Sequence, residues 1–160
     1  MDTGKEGSAQ GPAGRWPFSE RIEVTFRDLD LAGHVNNSVV FTWMETARLH
    51  HYMRLSGLTD PMQIDFILAE SAARYLVPVR FQHQVLVEVA PSHVGQSSWE
   101  LLYRFTDAPT GTVLMRGRSV QVAYDYRSRQ KKPIPEAVRA GLLRELVPPQ
   151  SEGWEPRTKA

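Results

Sequence analysis

The sequence has no cysteine, no long apolar run and almost no net charge. The absence of cysteine among 160 residues excludes disulfide scaffolds, thiol nucleophiles, iron–sulfur clusters and cysteine-based zinc sites. No stretch approaches the roughly 18 apolar residues that a membrane-spanning helix needs, and the first residues lack the apolar segment of a secretory signal. With 19 Lys and Arg against 18 Asp and Glu, the formal charge of +1 gives no general attraction for nucleic acid. We therefore expect a cytoplasmic protein without a membrane span or a nucleic-acid partner.

The composition is typical of one globular domain with polar ends. Apolar residues make up 41% and charged residues 23% of the chain, as in proteins that bury a core, and 160 residues suit a single domain. Residues 1–17 and 148–160 are polar, contain Gly or Pro and show no apolar periodicity, which predicts flexible tails. The predicted domain is residues 18–147.

Alternating apolar residues predict an antiparallel sheet. Ile22, Val24 and Phe26 alternate with polar residues, which predicts a first strand over residues 20–27. Later segments rich in Val, Leu, Tyr and Phe, separated by Pro and Gly, predict four consecutive antiparallel strands over residues 63–75, 84–93, 97–106 and 112–126. A short helix then follows over residues 135–146.

A long helix is predicted between the first two strands. Residues 38–56 contain neither Pro nor Gly, and apolar residues recur there at helical spacing. Asn36 or Asn37 can cap the start of this helix, and Gly57 can end it.

The loop before the helix concentrates reactive side chains: Asp28, Asp30, His34, Asn36 and Asn37. The start of a helix offers free amide donors and the positive end of a dipole, which can stabilise an oxyanion. A nearby carboxylate can attack the same carbon or activate water. A structural explanation is also available, because Asp and Asn satisfy hydrogen bonds in turns and caps.

The motif D-x-D-x-x-G-H-V-N-N from Asp28 to Asn37, followed by E-x-A-R from Glu45 to Arg48, resembles the opening of the 4-hydroxybenzoyl-CoA thioesterase-like branch of the hotdog-fold acyl-CoA thioesterases. Weaker matches extend the resemblance to residues 18–146. It implies an α+β hotdog fold, in which a curved antiparallel sheet of about five strands wraps a long central helix. It also implies hydrolysis of an acyl-CoA to free acid and coenzyme A, without a cofactor, in a site between subunits of a homodimer or a dimer of dimers.

The resemblance also implies roles for individual residues. The second aspartate of the motif, Asp30, is the catalytic carboxylate, either as a nucleophile that forms a mixed anhydride or as a general base. Backbone amides at the helix start polarise the thioester carbonyl, and glycine in this loop allows close approach. The expected substrate-binding residues are Gly33, His34, Val35, Asn36 and Asn37.

Glu45 is the second candidate for the catalytic carboxylate, because another branch of these thioesterases carries a catalytic glutamate on this helix. The structural alternative is an ion pair with Arg48, three residues further along the same helical face. Two other functions stay open: a hydratase or dehydratase of acyl thioesters that uses His34 and Glu45, and a noncatalytic acyl-CoA-binding module.

Two further features of the sequence bear on ligand binding. The basic run over residues 127–132 can meet the phosphates of coenzyme A or form a solvated turn, and the turn is the favoured interpretation. The five histidines show no spacing typical of a metal site, so we predict no metal.

Overall fold

The computed structural model describes residues 16–148. Residues 1–15 and 149–160, which hold most of the two predicted tails, lie outside the described residues. The helices and strands follow the chain as β1 Phe18–Ile22, α1 Asn37–Ser56, β2 Phe66–Tyr75, β3 Val85–Val94, β4 Ser98–Asp107, β5 Val113–Asp125, β6 Gln130–Lys131 and α2 Glu136–Arg144.

The strands form one antiparallel sheet in the order β1-β3-β4-β5-β2, and the two-residue β6 extends it beside β5. β3, β4 and β5 are joined as consecutive hairpins, whereas β2 lies on the far side of β5. This order confirms the predicted α+β arrangement of about five strands and a long helix. It leaves β1 and β2 as the two edges of the sheet.

Local side-chain chemistry sets both ends of α1. The Asn36 side chain accepts a hydrogen bond from the Ser38 amide at 2.9 Å, which satisfies a free donor of the first turn. Gly57 ends the helix with φ 74°, and its amide donates to the Met53 carbonyl at 2.9 Å. Both predicted caps are confirmed. The buried face of α1 packs on the sheet through Val40, Trp43, Met44, Ala47, Arg48, His51 and Tyr52.

The first strand is shorter than predicted. It ends at Ile22, and residues 26–28 form a 3₁₀ turn in which the Asp28 carboxylate accepts from the Thr25 amide at 2.7 Å. Such local bonds compete with pairing in a sheet. Phe26, expected to face the core, is 78% exposed, and its ring lies 4.7 Å from that of Phe81. The predicted extension of this strand to residue 27 is therefore wrong.

β2 also begins later than predicted, at residue 66 rather than 63. Asp60 caps a 3₁₀ turn over Pro61–Gln63 by accepting from the Met62 amide at 2.9 Å, and the turn replaces the start of the strand.

The second helix lies beside the C-terminal half of α1. A Cβ atom on Gly141 would lie 2.6 Å from Leu55 Cδ2, so the Gly141 backbone packs directly against the Leu55 side chain of α1. Glu145 accepts hydrogen bonds from His51 at 2.9 Å and from Arg54 at 2.7 Å. The start of α1 is thus left uncovered by α2.

The described part of the predicted N-terminal tail contacts the sheet. Trp16 is partly buried and packs with Ala90, Leu102 and Val147, and the Arg104 guanidinium lies 4.7 Å from its ring centroid.

Candidate active site

The carboxylate of Asp30 is oriented through one of its two oxygens. Oδ1 accepts hydrogen bonds from the amides of Ala32 at 2.8 Å and His34 at 3.1 Å, and the Asp30 amide donates to the His34 carbonyl at 2.7 Å. Oδ2 accepts no hydrogen bond from any described residue, and Asp30 is exposed. The loop therefore holds the carboxylate in place while leaving one oxygen available for chemistry.

Gly33 serves the turn itself. It has φ 74°, a left-handed conformation that strains other residues, and its amide donates to the Asp30 carbonyl at 3.0 Å. A Cβ atom there would meet nothing within 4 Å. Within this chain, the backbone conformation is what requires glycine, and the close approach expected from the sequence stays a prediction.

Most backbone amides after Gly33 are used inside the fold. His34 donates to Asp30 Oδ1, Val35 donates to the Val79 carbonyl at 2.7 Å, and Asn36 donates to the Asp28 carbonyl at 2.7 Å. The amide of Asn37, the first residue of α1, has no acceptor among the described residues. Of these four amides, Asn37 is the one free to polarise a carbonyl oxygen.

Asp30 and Asn37 face the same cavity, here called the Asp30 cleft. It has a volume of about 370 Å³ and is lined by Asp30, His34, Val35, Asn37, residues 75–79 and Met115. The Tyr75 hydroxyl donates to the Asn37 carbonyl at 2.9 Å, and burial raises the pKa of Tyr75, which favours its protonated form. The structure thus brings together four of the predicted site residues. Gly33 and Asn36 support the cleft as turn and cap and are not among its lining residues.

Glu45 lies elsewhere in the chain. It is exposed and lines a separate cavity of about 630 Å³ between α1 and β2, here called the helix–strand cleft. Among the described residues, Glu45 and Asp30 therefore line different cavities. Arg48 turns inward to 5% exposure, and the described residues show no ion pair between Glu45 and Arg48. The structural explanation that the sequence offered for this pair is wrong.

Sequence reasoning missed some residues of the two cavities. Met115, on β5, is 1% exposed and forms a wall of the Asp30 cleft, and no local pattern marks it for that place. Val79 contributes another wall. The sequence did indicate that the residues just before Val79 form part of a cavity wall, because Leu76 and Val77 are adjacent apolar residues that follow the end of β2.

The basic run over residues 127–132 forms a turn closed by an acidic side chain. The Asp125 carboxylate accepts from the Arg127 amide at 2.8 Å and from the Ser128 hydroxyl at 2.8 Å. Lys132 forms an ion pair with Asp65. Both contacts agree with the turn favoured from the sequence.

Within residues 16–148, no three His, Asp or Glu side chains are grouped so that they could hold a metal ion. That same part of the chain contains no helix long and apolar enough to cross a membrane.

A long helix on an antiparallel sheet, with a D-x-D loop at the helix start, defines a hotdog-fold protein of the thioesterase type. The model of the family described as "Thioesterase-like superfamily" matches residues 24–142. The chain therefore belongs to the thioesterase-like superfamily, and the resemblance seen in the sequence is confirmed.

Solved structures agree with this assignment. A thioesterase from Thermus thermophilus, complexed with coenzyme A and Zn, is 32% identical; the match covers 79% of this chain and 98% of that one, with a TM-score of 0.71. A predicted thioesterase from Bacillus stearothermophilus is 22% identical over 82% of this chain and 98% of that one, with a TM-score of 0.76. The latter shows the shared fold.

A curated relative matches over a shorter stretch. The uncharacterized protein YsmA of Bacillus subtilis (strain 168) is 29% identical over 86 residues, which is 54% of this chain. The match spans 58% of that relative's length.

Proposed function

We propose that this protein is an acyl-CoA thioesterase that hydrolyses an acyl thioester to free acid and coenzyme A, with Asp30 as the catalytic carboxylate. The observation that carries the proposal is that Asp30, whose oriented carboxylate has one free oxygen, and Asn37, whose amide is free, line one cleft. The coenzyme A complex of the similar Thermus thermophilus thioesterase supports coenzyme A as the thiol.

In the proposed reaction, the Asn37 amide donates a hydrogen bond to the thioester carbonyl oxygen. The positive end of the α1 dipole favours the negative charge that develops there. Asp30 then attacks the carbonyl carbon and expels the thiolate of coenzyme A, and water hydrolyses the resulting mixed anhydride. Alternatively, Asp30 takes a proton from a water molecule, whose oxygen attacks the same carbon; the C–S bond then breaks and coenzyme A leaves as the thiol with the proton from Asp30. Both routes use the same free oxygen.

We further propose a homodimer, either alone or as half of a dimer of dimers, because no strand within residues 16–148 pairs with the outer edge of β2 and the two cavities lie at its opposite ends. Tyr75, the last residue of β2, lines the Asp30 cleft, whereas Phe66, the first, lines the helix–strand cleft. If two β2 strands pair antiparallel about a twofold axis, the Asp30 cleft of one subunit meets the helix–strand cleft of the other. The acyl group would then extend from Asp30 into the second subunit, beside its Glu45.

The first experiment measures thiol release from aromatic and aliphatic acyl-CoAs of graded length. Asp30→Asn keeps the size of the side chain but removes its charge, and we expect a loss of at least about hundredfold in kcat. Asp28→Asn is the matched control, since its carboxylate is occupied by Thr25 in the same loop. Full activity of Asp30→Asn would contradict the assigned role.

The same panel separates the alternative functions. A hydratase would consume enoyl-CoA without releasing thiol, and its activity would depend on His34 and Glu45. A noncatalytic module would bind acyl-CoA in a titration but release no thiol from any member of the panel. Either result would replace the thioesterase proposal.

Mixing two inactive variants tests the shared site. Asp30→Asn removes the carboxylate, and Leu68→Trp fills the helix–strand cleft, which Leu68 lines at 46% exposure. If each site combines the two clefts from different subunits, random re-association restores about a quarter of the wild-type activity, because half of the dimers then carry one intact site. No recovery in a mixture shown to exchange subunits would contradict the composite site.

A further inference from the structure

Arg48 is a buried cation without a carboxylate partner. It is 5% exposed, and the described residues place no carboxylate at ion-pair distance from it. Its guanidinium lies beside the buried Tyr103 hydroxyl, which is hydrogen-bonded to Ser119 Oγ at 2.7 Å. A guanidinium stays charged, so a neutral hydroxyl beside it leaves that charge without a counter-charge.

The described surroundings of Arg48 supply no counter-charge. An ion taken out of water loses hydration that only a counter-charge and further hydrogen bonds can replace. Glu45, the nearest carboxylate along the helical face, is exposed and forms no ion pair with Arg48 in the described structure. The exposed Arg54 on the same helix, by contrast, pairs with Glu145 at 2.7 Å. We therefore expect the counter-charge of Arg48 to come from outside the described residues.

Arg48 also lines the helix–strand cleft. The other walls are mostly apolar and include Leu49, Ile64, Phe66, Ile67 and Leu68. The mouth is open, since Met62 is 89% exposed and Leu68 is 46% exposed. An open apolar cleft with one cation in its wall is suited to an elongated apolar ligand that carries a single anionic group.

We propose that the helix–strand cleft binds an apolar chain ending in a carboxylate, which forms an ion pair with Arg48. The assignment of this ligand as the acyl group of the substrate rests on the proposed function. In that case the substrate class is the coenzyme A thioester of a dicarboxylic acid, with the thioester at Asp30 of one subunit and the distal carboxylate at Arg48 of the other.

A calorimetric titration with octanoate and octanol tests the binding alone, because the two probes share a chain and differ in charge. Wild-type protein is expected to bind octanoate at least about tenfold more tightly than octanol. Arg48→Met should remove this preference while octanol still binds, and Arg144→Met, which changes an exposed cation of α2, should keep it. Equal binding of the two probes by wild type would overturn the proposal, as would a preference that survives in Arg48→Met.

Two controls separate a loss of binding from a loss of folding. One is the comparison of octanoate with octanol in wild type, which needs no variant, and the other is a second variant at Arg48. Replacing an unpaired buried cation with an apolar side chain of similar length should not lower Tm. Arg48→Lys keeps the charge but loses the paired donors, so part of the preference for octanoate should remain. Loss of the whole preference in Arg48→Lys, with Tm unchanged, would contradict an ion pair as its cause.

Hydrolysis distinguishes this inference from the proposed function. Thiol release is compared for octanoyl-CoA and octanedioyl-CoA, and kcat/KM should favour the second by about tenfold in wild type and not in Arg48→Met. If no thioester is hydrolysed but octanoate still binds through Arg48, the proposed function fails and the anion site stands. If both thioesters are hydrolysed equally and octanoate binds no more tightly than octanol, this inference fails while the proposed function stands. That result is expected when Asp30 of a second subunit supplies the counter-charge of Arg48.

Discussion

Replacing Gly33 with alanine tests whether the backbone of the Asp30 loop supports activity. Gly33 has φ 74°, and a Cβ atom there meets nothing within 4 Å, so the cost is purely conformational. The left-handed conformation costs alanine about 1–2 kcal/mol relative to glycine, and alanine recovers about 0.5–1 kcal/mol by restricting the unfolded chain. The expected loss in the free energy of unfolding is therefore about 1 kcal/mol, or about 2–4 °C in Tm.

Gly57 provides a matched control, because it also has φ 74° and a Cβ atom added there would meet open space. Gly57→Ala should lose the same free energy of unfolding in a urea titration. It should keep the wild-type rate of thiol release, since Gly57 lies at the end of α1, far along the chain from Asp30. Gly33→Ala should lose about tenfold or more in kcat/KM, because the hydrogen bonds that orient Asp30 pass through this turn. Equal activity of the two variants at equal stability would refute the reasoning.

One further variant tests the cap at the start of α1, and another tests the contact between the C-terminal half of α1 and the end of α2. Asn36→Ala should lower the free energy of unfolding by about 1 kcal/mol by removing the cap on the Ser38 amide, whereas Asn36→Ser should keep most of it; equal losses in a urea titration would contradict the capping role. At Glu145, burial opposes ionisation, but hydrogen bonds from His51 and Arg54 outweigh it and hold the pKa below the ordinary value of 4.5. The unfolded chain therefore takes up the proton first, so the stability that Glu145 contributes is complete above pH 4.5 and is lost as the pH falls through the lower folded value. Glu145→Gln should thus be less stable than wild type at pH 7 and approach it in acid, and a gap that does not narrow would contradict the sign.

Local chemistry explains what the sequence determined by itself. Asn36 and Gly57 set the ends of α1 through bonds to residues two and four positions away, so the pattern sufficed to predict them. Enrichment in Val, Leu, Tyr and Phe between Pro and Gly breaks likewise predicted the strands β2 to β5. The same local logic explains one failure, because the Asp28 carboxylate captures the Thr25 amide and stops β1 before the alternating pattern ends.

Only the tertiary structure decided which residues share a cavity. Spacing placed Glu45 beside Arg48, but packing on the sheet buried the arginine next to Tyr103 and left the glutamate exposed. Met115 reaches the Asp30 cleft because β5 runs beside β2, a neighbour relation set by strand order. The amide of Asn37 is free because those of Val35 and Asn36 found partners in Val79 and Asp28. Periodicity reports which face of an element is apolar; the partners that meet that face depend on the balance of burial, hydration and hydrogen bonding over the whole chain.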